Sequence, residues 1–129
     1  MFGSGAERAR RGPRSAEGLG GSFSQVVVRW GLDGPTADAM LGTGEGGAAR
    51  IVIGSMRPDD EQCRRLGVVI DIDILGRRML GLSDPRSWVR SACPELGGRT
   101  PLEEMLGGTS GLLRVRSVLL DALRRERGA

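Results

Sequence analysis

The chain has 129 residues, enough for one ordinary domain or for two very small ones sharing a core. Its net charge is +3, and all nineteen basic side chains are arginine, which suits a nucleic-acid or acidic protein partner. With no histidine and two distant cysteines, Cys63 and Cys93, the composition argues against a structural zinc site, a disulfide scaffold and histidine-based catalysis.

Residues 1–21 are rich in Gly, Arg, Ser and Ala and hold almost nothing to bury, so they are expected to be a disordered basic tail. Arg8, Arg10, Arg11 and Arg14 could touch nucleic-acid phosphate, or the segment could be an extension without a role. No apolar stretch follows these arginines as a signal peptide would require, and no apolar run reaches membrane-spanning length. A reducing cytoplasmic setting is therefore expected.

From Ser22 the pattern becomes helical, with Phe23, Val26, Val27 and Trp30 on one face, Ser22 as cap and Gly31 as stop. Asp33-Gly34-Pro35 opens a second helix that Gly42 closes. A third is expected from about Glu45 to Ile53, ending at Gly54. Three short helices with glycine turns are what a helix-turn-helix would produce. Its recognition helix would be weak, because Gly46 and Gly47 fall in the first turn and each costs about 1 kcal/mol relative to alanine. Thr43, Arg50 and Arg57 are the candidate DNA contacts, and a scaffold used mainly for dimerisation or packing is the expectation.

Asp59 and Gln62 form a capping box at the start of the next helix. The run Val69-Ile70-Asp71-Ile72-Asp73-Ile74-Leu75 alternates like a strand, yet Leu66, Ile70 and Ile74 recur every four residues as on a helix. No second strand is evident to satisfy such a backbone. If the run is helical, Asp71 and Asp73 point about 200° apart and cannot share a cation. Gly42-Thr43-Gly44-Glu45-Gly46-Gly47 has the spacing of a dinucleotide loop, but a helix rather than a strand precedes it, so its glycines are turn residues. Ser110 and Ser117, like the cysteines, lack a base. No enzyme, cofactor or metal site is expected.

The segment from Trp88 onward carries the clearest local signals. Asp84-Pro85 starts a helix through Trp88, and the turn Pro94-Glu95-Leu96-Gly97-Gly98-Arg99 follows. Thr100, Pro101 and Glu103 make a capping box for Leu102–Leu106, which Gly107-Gly108 ends. Leu112 to Leu123 then places residues 112, 115, 119 and 122 on one face.

Trp88, Pro94-x-Leu96-Gly97-Gly98-Arg99-Thr100-Pro101-Leu102, Met105-Leu106, Gly111-Leu112-x-x-Val115-Arg116 and Leu120-Asp121-Ala122 together resemble the toxin-binding domain of the Xre/MbcA/ParS antitoxin family. Trp30-Gly31-Leu32 and Ala37-Asp38-Ala39-Met40-Leu41-Gly42 are similar to the first half of that family's helix-turn-helix. Cys93 stands where the family usually has asparagine. The resemblance implies helix rather than strand over 69–75, and an all-α small helical bundle. Residues 22–80 would form a helix-turn-helix-like dimerisation region and 81–129 the toxin-binding module. It also implies a type II antitoxin whose partner is a RES-domain, NAD-degrading toxin blocked by occlusion, with operator DNA as a second partner and a homodimer as the assembly. The implied toxin contacts are Arg99, Arg116, Arg124 and Arg125, with Leu96, Leu112 and Val115 as apolar anchors or core. Gly98→Trp, or loss of residues 112–129, should then abolish toxin binding while the N-terminal half still self-associates. The competing function is a stand-alone helix-turn-helix transcriptional regulator.

Overall fold

The computed structural model describes residues 16–128, which form seven α-helices, a π-helical turn and one 3-10 turn, with no strand among them. The fold is an all-α small bundle. Helix α1 spans Ala16–Trp30, α2 Gly34–Leu41, α3 Gly47–Val52 and α4 Asp60–Ile74. The last runs into a π turn, Leu75–Met79. Then come α5 at Pro85–Trp88, the 3-10 turn Pro94–Leu96, α6 at Pro101–Met105 and α7 at Thr109–Gly128.

Helix α4 is the central strut. It packs against α1 on one side and α7 on the other, while α3 sits against α1, α2 against α3 and α4, and α6 lies on α7. One hydrophobic cluster runs through all of these contacts, from Phe23, Val26 and Trp30 through Leu66, Val69 and Ile72 to Met105, Leu112, Val115 and Leu119. The helical spacing at 23, 26 and 30 and at 112, 115 and 119 thus marks core positions, all of them buried.

The alternating run at 69–75 is helical. Val69 and Ile72 face the core, so the apparent strand pattern came from β-branched residues on a helix buried on two sides. The expected capping boxes are present at Asp59–Gln62 and Thr100–Glu103. Asp33 accepts from Thr36 N–H and Asp84 from Ser87 N–H, each with proline following.

Four details differ from expectation. Helix α1 begins at Ala16, not Ser22, so residues 16–21 are helical; the rest of the expected tail, with Arg8, Arg10, Arg11 and Arg14, lies outside the described residues. Gly20 is buried close to the Ile51 carbonyl, which gives this glycine-rich stretch a partner in α3. Helix α3 is shorter than expected, and α7 is longer at both ends. The π turn was not foreseen: Leu80 N–H reaches back to the Leu75 carbonyl, and the Leu82 side chain folds over Gly76, where a β-carbon would come within 3.1 Å.

Leu112, Val115 and Leu119 of α7 belong to the cluster that supports α4, so residues 112–129 cover one side of the strut that the N-terminal half also uses.

Candidate functional surfaces

Two surfaces hold the residues singled out by sequence, one on each side of the α1/α4 strut. The first surrounds the α2–α3 turn. Asp38, inside α2, accepts from the backbone N–H groups of Gly46 and Ala48 at 2.9 Å each and from the Thr43 hydroxyl at 3.2 Å. One carboxylate therefore caps α3 from a neighbouring helix, offsetting the poor helix propensity of its first turn. Those hydrogen bonds, with the nearby Arg50 charge, hold the Asp38 carboxyl below its ordinary pKa. Gly47 is fixed by space rather than by flexibility: a β-carbon there would lie 2.4 Å from Thr43 Cβ. No sequence pattern flags this cap, because Asp38 is remote in chain from the groups it serves.

These contacts decide what the candidate DNA residues can offer. The Thr43 hydroxyl is engaged with Asp38 and with the Gly44 carbonyl, so its place is in the turn. Arg50 is exposed and donates to the Glu45 carbonyl at 3.0 Å. Arg57 is exposed just after the segment whose Ser55 and Met56 N–H groups return to the Arg50 carbonyl.

The second surface is built by the 93–99 turn, α6 and α7. Cys93 organises the turn through its backbone, its carbonyl accepting from Leu96 and Gly98 N–H while its own N–H donates to the Arg99 carbonyl. Its thiol lies 3.3 Å from the Glu95 carboxylate. Burial first, then this carboxylate, pushes the thiol pKa up, so Cys93 stays protonated and donates. Cysteine thus keeps the turn closed without an asparagine side chain. Gly98 is exposed at φ +87°, a backbone conformation that strains any larger residue there.

Helix α6 meets α7 without a gap. At Gly111 a β-carbon would fall 1.9 Å from the Glu104 carbonyl oxygen. Glu104 itself is buried and pairs with Arg114 and, at 3.5 Å, with Arg99. Arg125 reaches Glu95 at 3.8 Å, which ties the far end of α7 to the turn.

The implied toxin contacts therefore separate into three groups. Gly98, Arg99 and Arg125 share the turn face. Arg116 lies on the opposite face, 3.2 Å from Asp71 of α4, and Arg124 is exposed beside Asp121. Leu96, Leu112 and Val115 are core residues, with exposures of 6%, 0% and 1%, and cannot anchor a partner in this conformation. Their helical or turn spacing fitted core and anchor equally well; only burial distinguishes the two.

The two aspartates of α4 point to different sides, as their spacing on a helix requires. Asp71 is exposed toward Arg116, while buried Asp73 accepts a bidentate pair from Arg29 of α1 and a further bond from Arg77. That network joins α1, α4 and the π turn.

With this geometry in view, comparison with known families supplies the decisive observation. A family model, the antitoxin Xre/MbcA/ParS C-terminal toxin-binding domain, matches residues 76–125. The C-terminal segment of the chain is similar to the toxin-binding domain of that family. The match begins inside the π turn and takes in α5, α6 and most of α7, so the toxin-binding domain borrows its core partner, α4, from outside the matched segment. Comparison of the chain with curated proteins and with solved structures gives no match. Among the described residues no helix is long and apolar enough to cross a membrane.

Proposed function

We propose that this protein is the antitoxin of a type II toxin–antitoxin pair, neutralising its toxin by covering the active site. The match over residues 76–125 carries the proposal. The exposed Arg99, Arg124 and Arg125 around Gly98, with half-buried Arg116 on the other face of α7, support it, because guanidinium groups suit an acidic or nucleotide-binding cleft. The toxin is a RES-domain enzyme that degrades NAD, as the family resemblance implies. Residues 22–80 form the dimerisation region, and residues 81–129 the toxin-binding module.

Operator binding and autoregulation belong to the α2–α3 unit. Exposed Arg50 and Arg57 beside a turn held by Asp38 favour that role, and they also support the second reading, a stand-alone regulator. A salt-dependent, sequence-specific shift of promoter DNA that Arg50→Ala and Arg57→Ala weaken is the expected result.

The test is to express the neighbouring gene's product alone and with this chain, following growth and cellular NAD. Arrest with NAD loss, rescued by co-expression, is expected. Arrest and rescue at constant NAD would replace the toxin class, and absence of arrest would favour the regulator.

A further inference from the structure

A toxin-binding face needs apolar anchors, and three of the residues expected to supply them, Leu96, Leu112 and Val115, are buried in the core. Exposed apolar surface must come from elsewhere in the domain. Among the described residues, five large hydrophobic side chains are exposed, and two of them, Ile74 and Met79, line the same groove. It is about 360 Å³ in volume, lies between the end of α4, the π turn and α7, and is completed by Leu75, Leu120, Asp71 and Arg116. The π turn makes it: the widened turn carries Met79, and α7 packs against that turn.

The charges around this groove are uneven. Ile74 also borders an adjoining polar cleft lined by Arg29, Arg77 and Arg78. Arg116 stands on the other side, and Arg124 follows Leu120 one turn along α7. Groove and cleft together present four arginines against two aspartates, Asp71 and Asp73. Asp73 already serves Arg29 and Arg77, Asp71 serves Arg116, and the exposed Arg78 has no ion pair among the described residues. An apolar floor flanked by excess guanidinium is complementary to a segment with apolar side chains and carboxylates at its margins.

We propose that the groove of Ile74, Leu75, Met79 and Leu120 is the anchoring site for the toxin, occupied by an acidic, apolar segment of that protein. This rests on the antitoxin reading and adds to it the surface and the chemistry of the partner. Three of the six lining residues, Met79, Arg116 and Leu120, fall in the matched domain. Arg116 exchanges Asp71 for a toxin carboxylate, an exchange that costs little because the existing pair is partly open to solvent and one carboxylate replaces another.

The experiment measures binding of the full chain to the neighbouring gene's product, at low and high salt, for wild type, Met79→Glu/Leu120→Glu and Arg78→Glu. The double variant places carboxylates on the apolar floor, and a loss of about 30-fold or more in affinity is expected. Arg78→Glu leaves the core untouched. It should weaken binding about tenfold at low salt and flatten the salt dependence, so the proposal stays testable even if the double variant folds poorly. Circular dichroism and mass in solution are recorded for each variant. Wild type that fails to bind overturns the antitoxin reading and the groove with it. Wild type that binds, with both variants folded and equally tight, overturns the groove alone. Variants that change the mass of the free chain but not toxin affinity would assign the groove to a second copy of this chain instead.

Discussion

Asp38 shows how much one side chain can determine here. It gathers Thr43, Gly46 and Ala48, and without it a six-residue helix led by two glycines has no cap. Asp38→Ala is expected to destabilise the fold by about 1–2 kcal/mol, measured by urea denaturation. The carboxyl is held below its ordinary pKa of 3.8, so its contribution is complete above that value and is lost as pH falls through the depressed one. The gap between wild type and Asp38→Ala should therefore be constant at neutral pH and close below pH 3.8. A gap that instead widened in acid would mean that the ionised carboxylate is not what the turn uses. Gly111 acts through space: Gly111→Ala must push α6 from α7, with an expected loss of about 1–3 kcal/mol or more. Gly47→Ala, facing the branched Thr43 side chain, should fall in the same range, and thermal melts of the two variants check both. Neither glycine could be told from an ordinary turn residue by sequence, since the crowding atoms belong to Thr43 and Glu104.

At the scale of elements, what was legible had local causes. The capping boxes at Asp59 and Thr100, the Asp33 and Asp84 caps and the α7 stripe all follow from neighbours within one or two turns. What was not legible depends on distant partners. Ala16 to Gly21 looked too glycine-rich to order, yet Gly20 packs on α3. The π turn depends on Leu82 covering Gly76. The site was less legible than the fold: Arg99, Arg124 and Arg125 are exposed and Arg116 is half-buried, but Leu96, Leu112 and Val115 could not be separated from core by periodicity alone. Leu112→Ala is expected to cost about 2–5 kcal/mol as a fully buried side chain. Loss of residues 112–129 should abolish cooperative unfolding of the whole chain, because α4 loses the helix that covers one of its sides. Circular dichroism of the truncated chain checks this; a cooperative transition in residues 1–111 would show that the N-terminal half folds alone.

For the whole molecule, the buried strut α4 is shared between a DNA-facing candidate at α2–α3 and the toxin-binding domain at 76–125. Asp73, bonded to Arg29 and Arg77, fastens α1 to the same strut at the point where the matched segment begins. Asp73→Ala should cost about 1.5–3 kcal/mol, since both arginines can turn to solvent once the carboxylate is gone.

The most direct test of the antitoxin assignment is amide hydrogen exchange of the full chain, free and mixed with the neighbouring gene's product. New protection concentrated in the π turn, the 93–99 turn and α7 is the predicted result. Protection confined to α2 and α3, or none at saturating partner, would contradict a toxin-binding role for residues 76–125.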